Sequence, residues 1–149
     1  MIQLSNRLLA MEESATIAMS RKSRELKAQG LDVISLSLGE PDFNTPQFIK
    51  DAALKAMENN FTKYMPVPGY DDLRESISKK FRRDNNLSYN SDQIVVSTGA
   101  KQSIANVVLT LINPGDEVII PAPFWVSYIE IVKVAGGIPI IVNAGIEKD

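Results

Sequence analysis

The sequence predicts an α/β fold built on a parallel sheet, and three observations predict it. From residue 94 onward the apolar period alternates between strand and helix. Ile94-Val95-Val96 is followed by a helical face of Ile104, Val107, Val108 and Leu111, then by Val118-Ile119-Ile120. A second helical face, Tyr128, Ile131, Val132 and Ala135, precedes a last strand from Ile138 to Val142. Strand, helix, strand, helix, strand is the pattern of parallel strands joined by crossover helices. The breakers fall between these runs: Asn113-Pro114-Gly115-Asp116, Pro121 and Pro123, and Gly136-Gly137. Finally, 149 residues, 44% of them hydrophobic, are enough to bury a core of about one domain. Three strands are few for a finished sheet of this kind, so an N-terminal part of a longer protein is expected.

The elements before residue 94 are read in order. Residues 1 to 14 are expected to be an irregular arm. Ser14 to Gln29 reads as a helix stopped by Gly30. Ile34, Leu36 and Leu38 alternate with Ser35 and Ser37, the period of a half-buried strand, and Gly39-Glu40-Pro41-Asp42 ends it. Thr45-Pro46 starts a helix, with a hydroxyl cap and proline in the first position. Ile49, Ala53 and Ala56 share its face. Residues 60 to 70 form a loop. Asp72 and Glu75 have capping-box spacing ahead of a stripe of Leu73, Ile77 and Phe81. Asn85 to Gln93 is a polar loop.

Composition removes several classes of function. Sixteen basic and 18 acidic residues give a net charge of −2, which argues against a general nucleic-acid surface. No apolar run approaches the roughly 18 residues of a membrane span. Met1 to Arg7 lacks a cationic stretch followed by an apolar one, so a cytoplasmic protein is expected. There is no cysteine and no histidine. That excludes a thiolate nucleophile, zinc-thiolate and imidazole metal sites, and a Ser-His-Asp triad. Chemistry must come from Lys, Asp, Glu, Tyr, Ser, backbone amides or a cofactor, and a cofactor carries the difficult electronics itself.

The strongest local candidate is Ser97-Thr98-Gly99-Ala100-Lys101, between a strand and a helix. Backbone N–H groups and the helix dipole there can hold an anion such as phosphate. The same residues also serve a plain strand-to-helix turn, and neither the Walker nor the G-x-G-x-x-G spacing is present. Trp125, the sole tryptophan, follows the next strand. Loops at the carboxyl ends of parallel strands share a crevice, so the indole either stacks there on a flat ring, or caps the core or fills a subunit contact. Tyr64, in a proline-stiffened loop, either donates to a phosphate or is a buried structural tyrosine. Gly39 either lets backbone approach a ligand or makes a simple turn. Glu40 and Asp42 are carboxylates whose spacing alone assigns no role.

Several motifs in order resemble the class I pyridoxal-phosphate aminotransferases. Ser37-Leu38-Gly39-Glu40-Pro41-Asp42-Phe43 with Thr45-Pro46 resembles their N-terminal signature. Tyr64 through Gly69 with Leu73-Arg74 resembles their Tyr-x-Pro-x-x-Gly-x-x-x-Leu-Arg segment. Ser97-Thr98-Gly99-Ala100-Lys101-Gln102, Asn113 to Val118 and Pro123 to Tyr128 follow in the family's order, and Ser14-Ala15-Thr16 is similar to the bacterial aspartate branch. The resemblance covers nearly the whole chain. It implies pyridoxal-phosphate-dependent transferase fold type I. Residues 1–45 would be the N-terminal arm and a small-domain segment, and residues 46–149 the start of the large cofactor-binding domain.

The resemblance also implies roles. Gly99, Ala100 and Lys101 would hold the phosphate of pyridoxal 5'-phosphate, with Lys101 a phosphate neighbour rather than the Schiff-base lysine. Trp125 would stack on the pyridine ring near the substrate. Tyr64 would reach the phosphate of the neighbouring subunit of a homodimer, and Gly39 would meet the substrate carboxylate. The reaction would pass an amino group between an amino acid, aspartate first, and a 2-oxo acid such as 2-oxoglutarate, in amino-acid metabolism. The Schiff-base lysine, the aspartate facing the pyridine nitrogen and the arginine for the α-carboxylate would lie beyond Asp149, so no catalytic residue is expected within these 149. Glu12-Glu13 stands where many relatives carry Lys-Pro, which puts acceptance of prephenate in doubt. Ala100 replaces a glycine of some relatives and keeps the backbone contact. A cofactor-sensing regulator, or a lyase or synthase on the same fold, shares these N-terminal motifs.

Overall fold

The structure, a computed structural model, describes residues 3–145. Along the chain these form α1 (Asn6–Leu9), α2 (Ala15–Ala28), α3 (Gln47–Glu58), α4 (Asp71–Asn85), α5 (Ala100–Leu111), β1 (Glu117–Ala122), α6 (Ser127–Val134) and β2 (Ile138–Asn143), with a 3₁₀ turn at Ser91–Gln93. They divide into two compact units, residues 3–39 with 100–145, and residues 40–99.

The first unit is organised by a βαβ crossover. β1 and β2 pair in parallel, from Glu117 opposite Ile138 to Ala122 opposite Asn143, with α6 between them in sequence. Both strands are rich in β-branched residues, which suit a pleated surface. Ile120 on β1 and Val132 on α6 are buried and make the centre of this unit.

Register is set where the two strands begin. Asp116 accepts the Asn113 N–H through its carboxylate at 2.7 Å, closing the turn that leads into β1. Gly115, at φ +92, donates its N–H to the Gly136 carbonyl at 2.9 Å. Ile138 donates to the Asp116 carbonyl at 2.8 Å. The turn before β1 is thereby tied to the turn before β2. α6 ends in a Schellman motif: Gly136 at φ +85 donates to Lys133, and Gly137 donates to Val132. α2 ends the same way at Gly30, within one residue of the predicted stop.

Two expectations in this unit fail. The arm is not wholly irregular, because Asn6–Leu9 forms a short helix whose Leu8 N–H reaches the Ser5 hydroxyl. Four residues are too few for periodicity to reveal; the capping serine was the available signal. The strand predicted at Ile34 to Leu38 is also not formed. Its apolar side chains stay exposed, Ile34 at 85% and Leu36 at 90%. A strand needs a neighbour for its N–H and C=O groups, and among the described residues none pairs with this segment. The alternation is real, but no ladder completes it.

In the second unit, α3 and α4 carry most of the regular structure. Pro46 is the cap of α3 rather than its first residue, a shift within the usual uncertainty of helix ends. The capping box predicted at Asp72 and Glu75 is not formed; Asp72 instead takes the adjacent Leu73 N–H at 2.8 Å. A true capping box closes the 3₁₀ turn, between Asn90 and Gln93. That turn is anchored to α4, because Arg74 donates to the Ser91 carbonyl at 2.9 Å and also pairs with Asp71. Near the end of α4, hydrogen bonds from Arg83 and then Lys80 hold the Asp84 carboxyl well below the usual carboxylate range.

The predicted strand Ile94 to Val96 is extended at Ile94 but joins no sheet among the described residues. Ile94 is buried, and the Val96 N–H goes to the Pro68 carbonyl at 2.9 Å. The segment is held by a loop, not a strand ladder. Gly69, at φ +100, is buried in that loop, where a Cβ would come within 2.8 Å of Val96 Cγ2.

Candidate functional site

The first unit contains a cavity of about 730 Å³. Its walls come from residues 11–17, Leu38-Gly39, α5, the loop after β1, and α6. Three of the six residues singled out from sequence, Gly39, Lys101 and Trp125, line it together. β1 ends before Pro123, and the loop that follows presents Trp125 before α6 begins.

The indole of Trp125 is part-exposed and meets the Tyr128 ring edge-on, with centroids 5.7 Å apart and planes at 90°. The Lys101 ammonium lies over the indole, 4.6 Å from the ring centroid. This is cation–π geometry. Lys101 is thus seated on the tryptophan, an arrangement that its expected place beside a phosphate did not suggest.

Gly99 has φ +86 and directly precedes α5, whose first residue is Ala100. A left-handed residue at a helix start turns the incoming chain sharply, and glycine adopts that conformation at little cost. No heavy atom lies within 4 Å of where a Gly99 Cβ would be. The same openness holds at Gly39.

Tyr64 belongs to the second unit and is fully exposed. Among the described residues none covers its ring. Glu40 and Asp42 are exposed, with no ion-pair partner among the described residues.

Sequence reasoning missed the polar wall supplied by α6. Glu130 accepts the Glu12 backbone N–H at 3.1 Å, fastening the N-terminal segment to α6. Lys133 pairs with Glu130 at 2.9 Å. The i,i+3 spacing of Glu130 and Lys133 was visible as a helical pair, but its contact with residue 12 was not. Glu13 turns to Arg21 at 3.1 Å. Among the described residues no helix is long and apolar enough to cross a membrane.

The family model for aminotransferase class I and II matches residues 31–149. The chain is 51% identical, over 98% of its length, to a probable aspartate/prephenate aminotransferase of Rickettsia bellii (strain RML369-C). It is 49% identical, again over 98% of its length, to an aspartate aminotransferase of Bacillus sp. (strain YM-2). It spans 37% of the length of each of these relatives. Among solved structures, an aspartate aminotransferase from Thermus thermophilus with maleate matches at TM-score 0.94 and 44% identity, covering 99% of this chain and 39% of that one. An alanine aminotransferase from Pyrococcus furiosus matches at TM-score 0.90 and 30% identity, covering 99% and 38%. The chain belongs to the class I and II aminotransferases and has the N-terminal portion of their α/β fold.

Proposed function

We propose that these residues form the N-terminal part of a pyridoxal-phosphate-dependent aminotransferase that exchanges an amino group between aspartate and a 2-oxo acid such as 2-oxoglutarate. The observation that carries this reading is the convergence of Gly39, Lys101 and Trp125 on one cavity. In this reading residues 1–45 are the arm with a small-domain segment, residues 46–149 begin the cofactor-binding domain, and the protein is a cytoplasmic homodimer.

The residues present fit the cofactor. A helix start with an open left-handed glycine suits a phosphate, which backbone N–H groups and the positive end of the helix dipole attract. A part-exposed indole on the cavity wall suits a flat ring. Gly99, Ala100 and Lys101 would hold the phosphate, Trp125 the ring, and Gly39 the substrate carboxylate through its backbone. When bound, pyridoxal phosphate supplies an electron sink; the chain's own part is to fix phosphate, ring and carboxylate in one geometry. Lys133 is committed to Glu130, so Lys101 is the cavity lysine without a carboxylate partner among the described residues.

The test is product analysis on the full-length polypeptide that carries these residues, with aspartate, alanine and aromatic amino acids as donors. Transamination of aspartate is expected; transamination of no common amino acid would refute the reading. The homodimer is tested at Tyr64, whose exposed phenol supports a role outside its own protomer. In the full-length protein Tyr64→Phe should weaken cofactor affinity by roughly tenfold to a hundredfold, the loss of one hydrogen bond to a charged group of about 1.5–3 kcal/mol. The melting profile should not change. Unaltered affinity would count against that assignment.

A further inference from the structure

We propose that Tyr70 is a positioning residue for Tyr64. Its ring, set edge-on against Phe61, closes the loop that carries Tyr64 and so presents the exposed phenol at one place. The inference rests on the role given to Tyr64 above, while the contacts that carry it lie within residues 61–96.

Tyr64 stands between α3 and α4 and is fully exposed. Its own ring gains no packing that would fix it, so its place is set by the two ends of its loop. At the entry, α3 closes in a Schellman motif: Asn60 has φ +59, its N–H goes to the Met57 carbonyl, and the Phe61 N–H goes to the Ala56 carbonyl at 3.0 Å. At the exit, the Gly69 N–H goes to the Pro66 carbonyl at 2.9 Å, and the Pro68 carbonyl accepts the Val96 N–H at 2.9 Å. Tyr70 follows at once as the cap of α4.

The rings of Phe61 and Tyr70 join these two ends, with centroids 5.8 Å apart and planes at 72°. Edge-on pairs of this kind add stabilisation beyond the area they bury. Compact surface loops with close ends are held by their own side chains. Here Pro66 and Pro68 also fix φ inside the loop. Without the ring pair the two ends lose the one side-chain contact that spans them. The phenol of Tyr64 must then be ordered when it engages a ligand, and that ordering weakens binding. Loss of the Tyr70 ring therefore matters to the cofactor only where the Tyr64 hydroxyl is present to bind it.

The experiment uses the full-length polypeptide that carries these residues. Tyr70→Leu removes the ring, Tyr70→Phe keeps it, and Phe61→Leu removes the same contact from the other side. In the cofactor-free protein, hydrogen–deuterium exchange of peptides spanning residues 61–70 should rise in both leucine variants and match the wild type in Tyr70→Phe. Pyridoxal-phosphate affinity should fall about two- to tenfold in the leucine variants, the worth of one aromatic pair. It should fall no further when Tyr70→Leu is added to Tyr64→Phe. Circular dichroism checks that each variant is folded, and Phe61→Leu carries the test if Tyr70→Leu is not. The proposal is overturned if the leucine variants exchange like the wild type. It is overturned equally if they bind the cofactor like the wild type while Tyr64→Phe does not, or if they weaken binding as much without the Tyr64 hydroxyl as with it, which is what a merely structural residue would do. Should Tyr64→Phe alone leave affinity unaltered, the role of Tyr64 at the cofactor fails, and the closure of its loop stands or falls on the exchange.

Discussion

Mixed with pyridoxal phosphate, aspartate and 2-oxoglutarate, the 149-residue chain alone is expected to yield no 2-oxo product above the cofactor's own background. The chain spans 37% of the length of the relatives it matches. By the family resemblance the Schiff-base lysine, the pyridine-facing aspartate and the α-carboxylate arginine would lie outside these residues. What the chain offers is part of a cradle. A charge-assisted phosphate contact contributes about 1.5–3 kcal/mol and ring stacking about 0.5–1.5 kcal/mol. Association costs about 4–15 kcal/mol in lost freedom, so cofactor affinity should be weak. The check is product detection by chromatography, together with borohydride trapping of any lysine–cofactor bond. Turnover with Lys101 trapped would overturn both this expectation and the role given to Lys101. Exposed apolar side chains such as Ile119 at 68% and Leu111 at 69% should meanwhile promote self-association, visible by light scattering.

What sequence made legible follows from the range of each interaction. β1, α6 and β2 were readable because their period, their breakers and their final contacts all lie within residues 113–143. Gly136-Gly137 announced the stop of α6 because a Schellman turn is local chemistry. Ile34 to Leu38 and Ile94 to Val96 show the opposite. Their alternation or β-branching is as good as that of β1, but a strand is completed by a neighbour, and no neighbour is written in the strand's own residues. At the site, the turn before α5 was legible because small residues between two periodic runs mark a break; its left-handed Gly99 came only with the backbone. The seat of Lys101 on Trp125 was not legible, since it depends on how α5 and the loop after β1 approach each other. The fastening of Glu12 to Glu130 is more remote still, joining the first and last thirds of the chain.

Gly137→Val should cause one of the largest losses of stability available to a single substitution in the first unit. A Cβ on Gly137 would lie 2.8 Å from Ile112 Cγ2, 3.0 Å from Val132 Cγ1 and 3.2 Å from the Asp116 carbonyl oxygen. Those three atoms belong to α6 and to the segment between α5 and β1, so relief requires the βαβ unit to open. Val132 is 2% exposed, and Ile120 at 5% is the other buried apolar residue of this unit among the described residues, so little core remains to absorb a shift. Overpacking of this kind costs about 1–3 kcal/mol, and each kcal/mol lowers the melting midpoint by about 2–4 °C at this length. Gly115→Ala is the comparison. It meets nothing within 4 Å but must adopt φ +92, a strain of roughly 1–2 kcal/mol from backbone alone. Thermal unfolding followed by circular dichroism should therefore rank Gly137→Val as at least as damaging as Gly115→Ala, with Gly137→Ala milder than valine. A Gly137→Val protein that melts with the wild type would show that Ile112 and Val132 do not close on Gly137 as the structure places them.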